Sequence, residues 1–133
     1  MILIDTSAWI DFFRGRGALA DAVDGALEDG RAALCGPIIT EIRRGLGSAS
    51  ERRKVLPLLA GCRLVESPAG LWEEAGDIGY ALRRRGKTVK TLDLLIAVHA
   101  LASDLAILTA DHDFRVMRQA GIPLRLAADE RSA

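Results

Sequence analysis

Ile2-Leu3-Ile4-Asp5-Thr6-Ser7-Ala8-Trp9-Ile10-Asp11-Phe12-Phe13 decides the fold. Ile2-Leu3-Ile4 reads as a short buried strand, and Ala8 to Phe13 reads as a helix, so the chain opens as β then α. Arg14-Gly15-Arg16-Gly17 forms a turn. A helix near Leu19 to Leu27 follows, then a strand at Ala32 to Cys35. Pro37 can start the next helix, because its missing N–H is not needed in a first turn, and Gly45 and Gly47 end it. Glu51 to Leu59 predicts another helix, Arg63-Leu64-Val65 a strand, and Pro68 to Arg85 a long helix ended by Gly86. A central helix runs from about Thr91 to Ala102, a strand from Ala106 to Thr109, and a helix from Asp111 to Gln119. Leu124-Arg125-Leu126 is a candidate edge strand. Strands alternating with helices imply an α/β fold: a mainly parallel sheet of four to five short strands with helices on both faces.

The 133 residues fit one domain with one core, so residues 1–133 are expected to form a single unit, with about 127–133 a short frayed tail. Half of the residues are apolar and the mean hydropathy is +0.17, which excludes an intrinsically disordered chain. No run approaches the roughly 18 apolar residues of a membrane span, and Asp5 interrupts the apolar start at once. The expectation is a soluble, unprocessed, cytoplasmic protein with no membrane partner. Cys35 and Cys62 lack metal-type or redox-type spacing and read as reduced core residues.

Eighteen basic and eighteen acidic side chains cancel, so net charge gives no reason to propose a nucleic-acid partner. Distribution does. If several acids are drawn into one pocket and neutralised by cations, the remaining surface becomes net basic. Basic residues cluster at Arg43-Arg44, Arg52-Arg53-Lys54 and from Arg83 to Lys90. Each run taken alone is equally a set of solvated helix ends.

The acids carry the chemistry. Asp5 stands directly after a strand and Asp111 shortly after another, and ligands bind beyond the carboxyl ends of strands in open α/β sheets. Either one alone is also a good helix cap. Asp93 lies in Leu92-Asp93-Leu94-Leu95-Ile96-Ala97-Val98, a helix apolar nearly all round and therefore buried. An ionised carboxylate there needs hydrogen bonds, a basic side chain or a metal ion. A first-turn acid favoured by the helix dipole is the competing explanation. Glu41 borders the stripe Ile38, Ile42 and Leu46, where an exposed acid paired with an arginine is the simpler reading. Taken jointly, one site explains these four positions more economically than four separate structural roles. Clustered carboxylates need cations to stay ionised, and oxygen ligands with few His or Cys select Mg²⁺, with Mn²⁺ as a substitute. Two such ions roughly 4 Å apart suit phosphodiester hydrolysis without a protein nucleophile.

The segment Ile2 to Asp11 resembles the opening of PIN-domain proteins, and most closely of VapC-type toxins of bacterial toxin–antitoxin systems. Thr40-Glu41-Ile42-Arg43-Arg44-Gly45 is similar to their second motif and Asp93-Leu94-Leu95-Ile96-Ala97 to the third. Leu108-Thr109-Ala110-Asp111-His112-Asp113-Phe114 is similar to the last. The resemblance covers nearly the whole chain in the family's order. It implies a PIN-like nuclease domain: a Mg²⁺- or Mn²⁺-dependent endoribonuclease with metal-site acids at Asp5, Glu41, Asp93 and Asp111. It also implies hydroxyls from Thr6 and Thr109, a homodimer, and silencing by a cognate antitoxin that covers the groove. Asp113 is a secondary candidate, able to bind through water or to cap the last helix. RNA contact is placed on Arg85, Lys87 and Lys90, which lead into the Asp93 helix, and on Arg43 beside Glu41.

His99 falls on an apolar face and reads as a hydrogen-bonded core residue, and His112 as a solvent-facing loop residue. Trp9, Phe12 and Phe13 read as core or dimer-interface residues, and Trp72 likewise. A phosphoaspartyl-type phosphotransferase also opens on a strand followed by Asp, but it wants a second Asp where Ser7 stands. A receiver domain wants a late lysine where Thr109 to Asp113 stand. A non-catalytic module holding metal with RNA or a peptide is the other class.

Overall fold

A computed structural model describes residues 1–127. The expected frayed tail lies, from residue 128 onward, outside the described residues. The elements in chain order are β1 (Ile2–Ile4), α1 (Thr6–Arg14), α2 (Ala20–Glu28), β2 (Ala32–Leu34), α3 (Gly36–Gly45), α4 (Ala49–Ala60) and β3 (Arg63–Leu64). Then come α5 (Leu71–Arg84), α6 (Thr91–Ser103), β4 (Ala106–Leu108) and α7 (His112–Gln119).

The sheet has the order β3-β2-β1-β4, and every pairing is parallel. Ile107 also makes a parallel bridge to Leu126, so the last expected strand is reduced to one pair at the β4 edge. Neighbouring residues in a strand point to opposite faces, yet all of Ala32, Ala33 and Leu34, and all of Ala106, Ile107 and Leu108, are buried. Both faces are therefore covered, as a parallel sheet requires. From β1 the chain continues to β2 on one side, while β4 sits on the other. The crevice beyond the carboxyl end of β1 is thus a topological switch point, where such sheets bind ligands.

The core is aliphatic with two large anchors, Trp9 and Phe114, both fully buried. Trp9 donates its indole N–H to the Ile4 carbonyl at 3.1 Å, which satisfies its one polar atom. Trp9 is therefore core and not an interface residue, while Phe12 and Phe13 pack against it half-buried.

On α5 the expected start is corrected, and so is the core reading of Trp72, though not its interface reading. The helix starts at Leu71 and not Pro68, because Gly70 takes φ +76° as its N-cap and the preceding residues form the turn. Its inward stripe is Leu71, Ala75, Ile78 and Leu82, so Trp72 lies about 100° off the stripe and is 70% exposed.

Candidate active site

Asp5, the residue after β1, is 2% exposed. Its Oδ2 accepts the hydroxyls of Thr109 at 2.8 Å and Ser7 at 3.0 Å. Each hydroxyl oxygen also accepts a backbone N–H from the loop after β4: Ala110 to Ser7, and Asp111 to Thr109, both at 2.9 Å. Two hydroxyls thereby tie the first turn of α1 to the loop that carries Asp111. Among the described residues, the buried Asp5 Oδ1 has no hydrogen-bond partner. Burial raises the Asp5 pKa, the Thr109, Ser7 and Thr6 hydrogen bonds pull it down in part, and the charge of Asp111 adds to the rise.

Asp93 sits in the first turn of α6 and is 3% exposed. Burial first, then a hydrogen bond with Asp113 and the charge of Asp111, push its carboxyl up to about 8, against the pull of Lys90. Burial opposes the charge on Asp113 too. There the Lys90 backbone N–H, Asp93 and the Lys90 ammonium outweigh it and hold the carboxyl below its usual range. Asp93, Asp111 and Asp113 each offer an oxygen within 4.8 Å of the others, a group that could hold a metal ion.

The cap reading of Asp111 holds, and its second oxygen faces a lysine. Its Oδ1 caps α7 by accepting the Asp113 N–H at 3.0 Å, and its Oδ2 takes Lys90 Nζ at 3.0 Å. Lys90 Nζ is also 3.4 Å from Asp93 Oδ2 and 3.5 Å from Asp113 Oδ2, and its backbone N–H donates to Asp113 Oδ2 at 2.9 Å. Hydrogen bonding to Asp111 is the main reason its own pKa is raised.

Glu41, on α3, accepts the Thr6 hydroxyl at 2.8 Å, and so Thr6 is its hydrogen-bond partner. The charge of Asp5 reaches Asp93, but neither Asp5 nor Glu41 is part of the three-acid group. A largely apolar pocket of about 340 Å³ adjoins Glu41 and Thr6, lined by Trp9, Ile10, Phe13, Ile42 and Leu46 with Arg14 and Glu51.

The RNA-contact candidates diverge. Arg43 and Lys87 are exposed, Arg85 donates its guanidinium to the Ala120 carbonyl, and Lys90 lies on the acids. His99 is fully buried, with Nδ1 at 2.7 Å from the Leu95 carbonyl and Nε2 at 2.8 Å from Ser67 Oγ, a core histidine as expected. His112 is exposed at the start of α7. Ser7 is a site residue that the sequence reading does not single out. A hydroxyl two residues after an acid at a helix start, able to bond it locally, is the signal that marks it.

The donor set fits a hard divalent cation. All oxygens come from carboxylates and hydroxyls; among the described residues the buried Asp5 Oδ1 has no hydrogen-bond partner, and Asp93 Oδ2 has no hydrogen bond beyond its 3.4 Å ion pair with Lys90.

This is a parallel-sheet domain with an acidic site at its switch point, and the PIN domain family model matches residues 2–119. The chain belongs to that family. It is 35% identical over 122 residues to "Ribonuclease VapC11" of Mycobacterium tuberculosis H37Rv, covering 88% of this chain and 91% of that protein. It is 34% identical over 109 residues to "Ribonuclease VapC10" of the same organism, covering 82% and 81%. The fold matches a chain of VapBC2 from Rickettsia felis, solved bound to a promoter DNA fragment, with TM-score 0.74, 18% identity, and coverage of 95% of this chain and 97% of that one. Among the described residues, no helix is long and apolar enough to cross a membrane.

Proposed function

We propose that this chain is a metal-dependent endoribonuclease and the toxin of a toxin–antitoxin pair, working in the cytoplasm as one nuclease unit over residues 1–133. The observation that carries it is the placement of two buried, incompletely hydrogen-bonded carboxylates, Asp5 and Asp93, beside Asp111 and Asp113 at the carboxyl edge of the sheet. The ribonuclease names of the relatives support the same activity.

In this reading Asp5, Glu41, Asp93 and Asp111 hold Mg²⁺, or Mn²⁺ in its place, and Asp113 joins Asp111. When bound, such cations activate a water and stabilise the leaving oxygen of a phosphodiester. The protein's part is positional. Thr109 and Ser7 fix the Asp5 carboxylate, Thr6 fixes Glu41, and the core around α6 holds Asp93 in place. RNA contact falls to Arg43, Lys87 and Lys90, while the fourth candidate, Arg85, has its guanidinium on the Ala120 carbonyl. Of these, Lys90 stands closest to the acids and is placed to meet a phosphate drawn to them.

The antitoxin reading draws on the VapBC complexes among the structural neighbours. The apolar pocket beside Thr6 and Glu41 gives a partner segment somewhere to seat while covering the acids. A homodimer completes the reading. The deciding experiment is RNA cleavage by purified protein with Mg²⁺ or Mn²⁺, after chelation, and with Asp93→Asn. Cleavage abolished by chelator and by the substitution is expected, whereas metal-dependent cleavage by a folded Asp93→Asn protein would overturn the assignment.

A further inference from the structure

A second groove, open and about 860 Å³, runs between the C-terminal half of α5, the loop over residues 86–90 and the start of α6. Its Thr91 directly follows Lys90 of the acidic site, but none of the metal-site acids lines it. Its walls carry Tyr80, Arg83, Arg84, Thr88 and Thr91, and Gly76 opens its floor. Tyr80 is 64% exposed, with the Arg84 guanidinium carbon 6.0 Å from its ring centroid.

Tyr80 and Gly76 make no sense as packing. A large aromatic left in solvent buries little, and glycine inside a helix costs stability relative to alanine. Gly79, one turn along, does pack: a Cβ there would come 2.8 Å from Leu94 Cδ1, so its absence lets α5 approach α6. A Cβ at Gly76 would meet no atom within 4 Å. What Gly76 supplies is room.

We infer that this groove binds the single-stranded stretch of RNA flanking the scissile phosphate. One base stacks on Tyr80, Arg83 and Arg84 hold phosphates, and Thr88 and Thr91 offer hydroxyls to phosphate or sugar. Exposed aromatic faces flanked by arginine take unstacked bases, which duplexes do not present. No residue lining the groove is acidic, so the wall complements a polyanion. Docking of a second copy is disfavoured by the same arginines, which would face each other across an isologous contact. The basic stretch thus acts through Arg83 and Arg84 on this face, while Arg85 turns away to the Ala120 carbonyl. This inference rests on the nuclease reading of the acidic site.

The test measures binding of a roughly 12-nucleotide mixed-sequence single-stranded RNA in Mg²⁺, using Asp93→Asn protein so that the probe survives. Gly76→Leu starts its side chain in open space, since a Cβ there meets no atom within 4 Å, so its melting temperature should hold or rise while RNA binding weakens roughly tenfold. Tyr80→Ala should weaken binding by a similar factor. Arg83→Ala with Arg84→Ala should flatten the salt slope by roughly 0.7 for each phosphate that is no longer neutralised. Unchanged affinity in Gly76→Leu and Tyr80→Ala overturns the groove and leaves the nuclease reading standing, provided the native chain cleaves RNA. A native chain that neither binds nor cleaves RNA with Mg²⁺ or Mn²⁺ overturns both. Loss of a dimer by light scattering in Gly76→Leu, with RNA affinity falling only in step with it, assigns the face to copies of the chain and also overturns the proposal.

Discussion

The Thr6 hydroxyl donates to Glu41 Oε1 at 2.8 Å, joining the first turn of α1 to the middle of α3 across 35 residues. This bond fixes the rotamer of an acid that otherwise borders an open pocket. The residue beside Asp5 therefore sets the position of the second expected metal-site acid.

Thr6→Val keeps the shape of the side chain and removes the donor. Its stability cost should be small, about 1 kcal/mol, since Glu41 remains within reach of water. The rate of RNA cleavage should fall roughly tenfold or more, the scale for losing a group that orients a metal ligand. Thr6→Ser restores the donor and should recover most of the rate. Cleavage kinetics of the three proteins at matched metal check this, and equal rates in Thr6→Val and parent would remove Glu41 from the site.

Asp93→Asn should abolish cleavage, with a loss of roughly 100-fold or more expected for a group acting on transition-state charge. Its effect on metal-free stability depends on pH. The folded carboxyl titrates at about 8, above its unfolded value of 3.8. The raised pKa therefore favours folding at low pH, and that contribution is lost as pH rises through 8. The metal-free parent should melt progressively lower between about pH 5 and pH 8, where the neutral asparagine is less affected. Melting curves in chelator across this range should show Asp93→Asn gaining on the parent as pH rises; parallel curves would contradict the shift.

Much of this is legible in the sequence. The strands stand out because Ile2-Leu3-Ile4 and Ala106-Ile107-Leu108 are short apolar runs followed at once by polar residues, and a sheet covered on both faces needs such runs. Asp93 can be picked out because a carboxylate inside an otherwise apolar helix needs an explanation. The Lys90 contacts are not legible. They span 21 residues to Asp111, and they depend on how the loop before α6 meets the start of α7. The Ser7 to Ala110 bond bridges 103 residues and is set by the adjacency of β1 and β4. Trp72 shows phase deciding between its two readings: bulk alone suggests core or interface, and the stripe Leu71, Ala75, Ile78 and Leu82 turns it outward and removes only the core one.

Metal binding should compete with protonation. A divalent cation needs Asp93 ionised, so below about 8 its binding must expel the proton that Asp93 holds. Affinity for Mn²⁺ should rise from about pH 6 to about pH 8 and level off above. Calorimetry in two buffers of different ionisation enthalpy at about pH 6.5 should reveal net proton release. Chelation should lower the melting temperature of the metal-loaded protein, since the cation binds the folded state. Affinity that does not change with pH would mean that Asp93 is not a ligand.

Lys90 gives the last prediction. Its ammonium lies 3.0 Å from Asp111, 3.4 Å from Asp93 and 3.5 Å from Asp113, the same three carboxylates that could hold a metal ion. Two cations cannot share those oxygens at full strength, so a divalent ion has to loosen the lysine in order to bind. Lys90→Met retains the aliphatic stem and deletes the charge. Without metal it leaves three acids with less compensation, so the protein should melt lower than the parent at about pH 8. With Mn²⁺ the order should reverse, because the ion meets no resident ammonium and binds more tightly. RNA affinity should nevertheless fall, since the displaced ammonium no longer meets the incoming phosphate, and this should appear in KM more than in kcat. Melting curves with and without Mn²⁺, read beside cleavage kinetics, separate these effects. Weaker Mn²⁺ binding in Lys90→Met would instead make the lysine an organiser of the acids and not a competitor for them.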